Sequence, residues 1–233
     1  MKNQEAEARK EIRSGVYLVV DPSYGNARVL EVAEASMKAG LAMLQLWASW
    51  KDDTNAVDLG RKLSKLADEY STPFVINNNL EVAKTVEADG VHIDGVEPDP
   101  ILIREELGPN SIVGVTCSTS VEKVLWAKSK KVDYISFCSM YPSPSVNECD
   151  IVPLRMVSEA KRIVDFPIFA SGGINLTNAH EIIEAGADGV AVISAIMSSK
   201  DPQKTTRELD SIVKEIREKR LSGHFKQSII AAK

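Results

Sequence analysis

The residues of this chain that are best placed to do chemistry follow two apolar stretches. Gly172 and Gly173 come after the first stretch, and Ile193 and Ser194 end the second. A glycine pair that leads from a strand into a helix exposes main-chain N–H groups, and such groups bind phosphate. We therefore expect these four residues to hold the phosphate group of a small ligand.

The elements that must position these residues form a regular alternation. Eight short apolar stretches alternate with helical patterns, as in the βα units of a parallel sheet. Closing such a sheet buries every strand on both faces and leaves no edge, so the pattern favours an α/β fold of the (β/α)8 TIM-barrel type over an open doubly wound sheet. In such barrels a phosphate site lies at the ends of strands 7 and 8, beside a short extra helix. The predicted strands are 16–20, 42–46, 73–77, 90–93, 112–115, 133–137, 167–170 and 189–193, and the predicted helices are 28–39, 56–70, 80–87, 121–129, 153–163, 179–185 and 205–219.

The barrel is predicted to be one domain, at 15–220. An N-terminal extension covers 1–14, and a C-terminal tail, 221–233, lies outside the eight units. For the tail, three roles stay open: covering the bottom of the barrel, mediating assembly as a homo-oligomer, or being disordered.

The composition excludes several classes of protein. The net charge is -5 and no Lys/Arg-rich run occurs, which is unlike a nucleic-acid binder. No apolar run approaches the roughly 20 residues that span a bilayer, and 1–14 is too charged for a secretory signal, so a cytoplasmic location is expected. Cys117, Cys138 and Cys149 lack the spacing of a metal site or a disulfide scaffold, and we interpret them as reduced thiols.

Polar side chains stand where the predicted strands end, and they are amides and hydroxyls more often than cations. Several allow two interpretations. His92 is either a proton carrier or a packed, hydrogen-bonded residue; Trp47 and Trp50 either stack on a ligand ring or fill space. Cys117 and Cys138 are either nucleophiles or small side chains that fill the core. Glu97 and Asp99 either begin a helix or bind a metal. Asp21 is interpreted as a turn residue. The full set of strand-end residues is Asp21, Gln45, Trp47, Asn77, Asn78, His92, Asp94, Glu97, Asp99, Thr116 and the stretches 117–119 and 138–147.

An ordered set of motifs resembles the thiamine phosphate synthase and thiazole tautomerase family. The resemblance covers about 15–202. Its carriers are Val16-Tyr17-Leu18-Val19-Val20-Asp21, Leu44-Gln45-Leu46, Pro73-Phe74-Val75-Ile76-Asn77, Ala88-Asp89-Gly90-Val91-His92-Ile93, Gly114-Val115-Thr116, Asp133-Tyr134-Ile135, Tyr141-Pro142-Ser143-Pro144-Ser145, Ala170-Ser171-Gly172-Gly173-Ile174 and 188–196.

The resemblance implies a reaction and a set of small phosphate ligands. In that family the synthase joins an aminopyrimidine pyrophosphate to a thiazole phosphate, giving thiamine phosphate and pyrophosphate with the help of magnesium. The tautomerase relative moves a proton on a similar thiazole phosphate. Matched motifs imply catalytic roles for Gln45, Asn77, Ser143 and Ser145, phosphate binding by Gly172, Gly173, Ile193 and Ser194, a pyrophosphate side at Lys51, Asn78 and Thr116, and magnesium binding by Asn78 and Glu97.

The chain also departs from the family pattern, chiefly on the pyrophosphate side. Trp47-Ala48-Ser49 replaces the family's Arg-x-Lys, which leaves Lys51 as the nearby cation. Asn78 stands where the family has a metal-binding carboxylate, and Asp94-Gly95-Val96-Glu97 replaces Gly-Gln-x-Asp. Val146 replaces a lysine, and Ser118 or Cys117 replaces a histidine. Each lost group of this kind typically costs about 3 to 4 kcal/mol of transition-state stabilisation.

Three functions follow. The first is a thiamine phosphate synthase-like enzyme with an altered pyrophosphate site, and it is the one that the matched motifs favour. The second is a thiazole tautomerase-like enzyme that needs no metal. The third is a non-catalytic barrel that binds a phosphate ligand and has lost the pyrophosphate and magnesium site.

Overall fold

The eight predicted strands form a closed parallel barrel. The computed structural model describes residues 10–47, 53–142 and 151–231. The strands join in sequence order, and Gly15 beside Gly189 closes the ring, so the TIM-barrel prediction is confirmed and the open sheet is excluded. They are β1 (Gly15–Val20), β2 (Met43–Leu46), β3 (Phe74–Asn77), β4 (Gly90–Ile93), β5 (Ile112–Thr116), β6 (Tyr134–Phe137), β7 (Ile168–Ala170) and β8 (Gly189–Val192).

Helices surround the barrel and differ from the predicted set chiefly at three places. The eight-residue helix Pro100–Leu107 and the four-residue helix Ser194–Met197 lie outside the predicted ranges, and the last helix is longer at both ends than the predicted 205–219. Beyond a 3-10 turn at Pro22–Tyr24, the helices are α1 (Asn26–Lys38), α2 (Asp53–Glu69), α3 (Leu80–Thr85), α4 (Pro100–Leu107), α5 (Val121–Ser129), α6 (Leu154–Ile163), α7 (Ala179–Glu184), α8 (Ser194–Met197) and α9 (Pro202–Ala231). No helix of the described residues combines the length and apolar character needed to cross a bilayer.

Side-chain caps start the helices that follow strands β3, β4 and β5. Asn79 accepts a hydrogen bond from the Val82 N–H at 2.9 Å. Asp99 accepts one from the Ile101 N–H at 2.8 Å and also pairs with Lys130. Such caps satisfy N–H groups that have no partner inside the helix. Asp99 therefore takes the helix-starting role, one of the two interpretations of this residue.

The interior of the barrel is filled by aromatic rings near its centre. Tyr17, Tyr134 and Phe169 meet edge to face, with ring centroids 5.3 to 5.8 Å apart. Gly114 makes room for them, because a Cβ at that position would lie 2.0 Å from the Tyr134 ring. Since the rings fill the middle of the barrel, open space remains only toward its ends.

An aspartate clamp repeats at the N-terminal face of the barrel. Asp89, Asp133 and Asp188 each precede an even-numbered strand. Each accepts a hydrogen bond from the first or second N–H of the strand before it, at 2.7, 2.6 and 3.0 Å. Each carboxylate also pairs with a cation, Lys10, Arg104 and Lys161 respectively. The Asp89-Gly90 and Asp188-Gly189 pairs at the starts of β4 and β8 are thus structural, as residues at this face of a TIM barrel usually are.

Both ends of the chain pack against this face where the structure describes them. Lys10 bridges Asp68 and Asp89 at 2.7 and 2.9 Å. Helix α9 runs without a break through position 220, and Arg220 donates to the Ile183 carbonyl at 2.7 Å. Residues 221–231 of the predicted tail thus continue a helix.

Candidate functional site

A cavity of about 240 Å³ opens where the carboxyl ends of the strands meet. This is the end of a TIM barrel that carries active sites. The cavity brings together most of the residues that were predicted for the site. Its polar lining includes Tyr17, Gln45, Asn77, His92, Asp94, Thr116, Ser136, Ser139, Ser171, Gly172, Gly173 and Ser194.

One side of the cavity is a glycine cradle, formed by Gly172, Gly173, Ile193 and Ser194. Gly172 and Gly173 have φ of +94° and +66°, a region that favours glycine. A Cβ on Gly172 would lie 2.5 Å from the Ser139 nitrogen, and one on Gly173 would lie 2.6 Å from the Pro142 carbonyl oxygen. Only glycine therefore lets the main chain approach this closely.

The neighbouring strand end completes the cradle. Ile193 is the N-cap of α8, and Ser194 is its first residue. The first N–H groups of a helix have no partner inside it and point toward its N-terminal end. Across the cavity edge, Asn178 donates to the Gly173 carbonyl at 3.0 Å and so fixes the glycine turn. The arrangement suits a phosphate held by main-chain groups.

The opposite side is a polar wall formed by Gln45, Asn77, Asp94 and Thr116. A buried chain of hydrogen bonds supports it from below. The Tyr17 hydroxyl donates to the Gln45 carboxamide oxygen and contacts the Tyr134 hydroxyl at 2.9 Å. The Tyr134 hydroxyl meets His92 Nδ1 at 2.9 Å, and His92 Nε2 meets the Thr116 hydroxyl at 2.8 Å. The chain thus joins two points of the polar wall through the barrel interior.

Burial decides the charge states along this chain. Loss of solvent lowers the pKa of His92 to about 4, with Asp94 opposing this shift and Lys123 adding to it, so the imidazole is neutral near pH 7. Burial also raises the pKa of Tyr17 and Tyr134 well above the usual tyrosine value, so both stay protonated. His92 is therefore packed and hydrogen-bonded, and it still borders the cavity.

Asp94 is held by a clamp at the end of β4. The Asn78 amide donates to Asp94 Oδ2 at 2.6 Å, and the Asp94 N–H donates back to Asn78 Oδ1 at 2.9 Å. Asn77 donates to the same carboxylate oxygen at 3.2 Å, and Thr116 donates to Oδ1 at 3.2 Å. The sequence analysis treated Asp94 only as a strand-end departure from the family pattern. An acidic residue directly after a predicted strand was the signal that it belongs to the site.

The described residues do not fit a resident magnesium ion. Mg²⁺ prefers carboxylate oxygens, but the Asn78 amide oxygen is occupied by the Asp94 N–H, and Glu97 lies on an exposed loop. Among the residues that the structure describes, no group of three His, Cys, Asp or Glu side chains is placed to hold a metal. The predicted magnesium ligands Asn78 and Glu97 thus supply one neutral amide and one exposed carboxylate.

Cations are scarce in this site. No lysine or arginine lines the described part of the cavity. The predicted pyrophosphate ligand Lys51 and the predicted catalytic residues Ser143 and Ser145 lie outside the described residues, as do Trp50 and Cys149. Lys123, which the sequence analysis missed, donates to the Asp94 main-chain oxygen at 2.6 Å. Its position on the first turn of α5 gives no sequence signal, because only the fold brings it to β4.

Other predicted residues take structural roles. The Trp47 side chain borders the cavity and packs against the aromatic interior, a position that is compatible with both of its predicted roles. Cys117 is buried, and burial raises its pKa to about 12, which keeps it a thiol. Cys138 borders the cavity. Asp21 accepts a hydrogen bond from the Ser23 N–H at 2.9 Å, as expected of a turn residue.

The fold and this cavity define the class of protein, a TIM barrel with a phosphate cradle at the ends of strands 7 and 8. The family model for thiamine monophosphate synthase matches residues 16–196. The chain therefore belongs to the thiamine monophosphate synthase family, as its motifs predict.

Individual relatives of this chain support the same family assignment. A thiamine-phosphate synthase from Pyrococcus furiosus is 33% identical over 187 residues, which cover 80% of this chain and 89% of the relative. One from Methanobrevibacter smithii is 30% identical over 194 residues, or 83% and 92%. The solved structure of a thiamine phosphate pyrophosphorylase from Pyrococcus furiosus superposes with a TM-score of 0.77 at 29% identity, covering 88% of this chain and 98% of that one.

Proposed function

We propose that this protein is a thiamine phosphate synthase-like enzyme of thiamine biosynthesis. It couples an aminopyrimidine pyrophosphate to a thiazole phosphate and releases pyrophosphate. The observation that carries this proposal is that one cavity joins the glycine cradle to the polar wall that contains Gln45 and Asn77. Family membership supports the same function.

The geometry supports binding and orientation of both partners. The glycine cradle holds the thiazole phosphate, while Gln45 and Asn77 face the aminopyrimidine. The thiazole ring nitrogen then forms a bond to the pyrimidine methylene carbon as the bond from that carbon to the pyrophosphate oxygen breaks. Holding two reactants in such an orientation removes much of the entropic barrier to their reaction. Since the described residues do not fit a magnesium site, no step is assigned to a metal here.

The test is a coupling assay with both substrates, following pyrophosphate release and thiamine phosphate formation. We expect both products in equal amounts from the wild-type protein. The Gly173→Asp variant should form neither, because its carboxylate would repel the phosphate in the cradle. Absence of both products with the wild-type protein and authentic substrates would contradict the proposal.

A second candidate function is favoured by the buried hydrogen-bond chain. Hydroxyl and imidazole groups both donate and accept, so the chain from Gln45 to Thr116 can pass a proton between two points of the cavity wall. A tautomerase-like reaction needs such a chain and no metal. Under this candidate, a thiazole carboxylate phosphate aromatises faster with the protein than without it, in excess chelator, and Thr116→Val removes the acceleration. Binding of the thiazole phosphate without turnover in either assay would instead indicate the non-catalytic barrel.

A further inference from the structure

We propose that Asp94 selects the second half of the ligand. Its carboxylate accepts hydrogen bonds from a cationic or amino-bearing ring and disfavours free pyrophosphate, the anion that the proposed reaction releases. The ligand class is a phosphate monoester whose far end is positively charged or donates N–H groups. This inference rests on the proposed function only in that the glycine cradle holds the phosphate.

The carboxylate is fixed in place before any ligand arrives. Its donors come from two separate strand ends: Asn77 and Asn78 at the end of β3, and Thr116 at the end of β5. Asn77 is 1% exposed and Thr116 is 6% exposed, so both donors are held by the packed barrel. A recognition group that is already oriented loses little entropy when a ligand binds.

The negative charge of this carboxylate is not neutralised by its described neighbours. All three side-chain donors are uncharged amides or hydroxyls. His92 Nε2 lies 3.9 Å from Asp94 Oδ1, and the buried imidazole is neutral near pH 7. The Lys123 ammonium contacts the main-chain oxygen of Asp94, and within the described part of the chain no lysine or arginine forms an ion pair with the carboxylate. The Asp94 side chain is 53% exposed, so it can meet a ligand directly.

The two sides of the cavity therefore have opposite preferences. The glycine cradle offers N–H donors to an anion, and the polar wall offers a carboxylate and amide oxygens to a donor or a cation. In thiamine phosphate a cationic thiazolium ring carries the phosphate, and an aminopyrimidine with N–H donors lies at the far end, so the molecule has the required groups. Free pyrophosphate, which is negative throughout, meets the carboxylate with the same sign.

The experiment measures binding by calorimetry with three probes: thiamine phosphate, thiazole phosphate, and pyrophosphate with and without Mg²⁺. The matched variant is Asp94→Asn, which keeps the shape of the side chain and removes its charge. We expect this variant to bind thiamine phosphate at least about tenfold more weakly and to bind thiazole phosphate within about twofold of wild type. Pyrophosphate binding should strengthen about tenfold, since the like charge is gone.

A second variant tests whether the result comes from disrupting the hydrogen bonds between Asp94 and Asn78. Asp94→Gly removes the whole side chain, and unchanged thiazole phosphate affinity would show that the cradle and the fold are intact. The same loss of preference for thiamine phosphate is expected in this variant. If both variants keep the wild-type ratio of thiamine phosphate to thiazole phosphate affinity, the role of Asp94 is overturned.

These outcomes separate the inference from the function on which it rests. Failure of thiazole phosphate to bind the wild-type protein would overturn the glycine cradle and, with it, the proposed function. If thiazole phosphate binds but the Asp94 variants keep the wild-type ratio of thiamine phosphate to thiazole phosphate affinity, only the role of Asp94 would be overturned.

Discussion

The glycine cradle and the polar wall face each other across one cavity, yet they are built from different parts of the chain. The cradle presents main-chain N–H groups, and its glycines are required by the backbone conformation. The polar wall presents side chains at the ends of β2, β3, β4 and β5. A main-chain site depends on few residue identities, whereas a side-chain site changes with each substitution. This difference explains how the cradle keeps the family pattern while the wall departs from it.

The largest expected effect comes from placing a charge in the cradle. Gly173→Asp and Gly173→Asn introduce side chains of the same shape against the same Pro142 carbonyl. We expect the Asp variant to bind thiazole phosphate about a thousandfold more weakly than wild type, and the Asn variant about tenfold, because close like charges cost several kcal/mol. Calorimetry measures both. Equal affinities for the two variants would show that no anion binds there.

The next effect tests the buried chain beneath the polar wall. Because burial lowers the pKa of His92 from 6.5 to about 4, the folded state favours the neutral imidazole. The unfolded chain takes up a proton first, so this stabilisation is present above pH 6.5 and is lost as the pH falls toward 4. At ~1.4 kcal/mol per unit, the free energy of unfolding should fall by about 3 kcal/mol from this residue.

Urea unfolding of the wild-type protein and the His92→Gln variant at pH 7 and pH 4 measures this contribution. Between pH 7 and pH 4, the free energy of unfolding should fall by about 3 kcal/mol less in the variant than in the wild-type protein. The same pH dependence in both proteins would show that His92 is not the responsible group.

A smaller effect is expected for a substitution that tests whether the glycine cradle and the polar wall act independently. Gln45→Leu removes an acceptor of the Tyr17 hydroxyl and a group of the polar wall, but it leaves the main chain of the cradle unchanged. We expect kcat/KM for the coupling reaction to fall about tenfold, the size of one hydrogen bond, while thiazole phosphate affinity stays within about twofold. A large loss of thiazole phosphate affinity would mean that the two sides are not independent.

The smallest effect is expected for a substitution that lies outside both the glycine cradle and the polar wall. Lys84 and Glu106 form a surface ion pair at 2.6 Å, with side chains 54% and 42% exposed. Lys84→Ala should leave the free energy of unfolding nearly unchanged, because exposed ion pairs contribute little to stability, and should leave every ligand affinity unchanged. A shift in ligand affinity would show that substitutions far from the cavity disturb it, and would weaken the interpretation of the other variants.

The cradle and the strands could be predicted from the sequence because their signals are local. Each strand is a short apolar stretch, and the observed bounds agree with the predicted ones to within one residue. Helix α4 was missed because it is eight residues long and buries only Pro100 and Ile103, so it has little periodicity.

The polar wall could not be predicted because its roles depend on contacts between distant residues. Asp94 gains its position from Asn77, Asn78 and Thr116, which lie up to 22 residues away in the chain. In the sequence, Tyr134 is indistinguishable from the apolar residues of its strand, yet in the structure its hydroxyl links Tyr17 to His92. The hydrogen bonds between Asn78 and Asp94 could not be foreseen either, because only the fold brings the ends of β3 and β4 together.

The proposed ligand lies in one cavity, with its phosphate at the main-chain side and a positive or N–H-donating ring at Asp94. A crystal structure of the protein soaked with thiamine phosphate would show this placement. We expect the phosphate about 3 Å from the main-chain nitrogens of Gly173 and Ser194, with the amino group or the cationic ring against the Asp94 carboxylate. A phosphate bound beside Asp94, or a ligand outside the cavity, would contradict it.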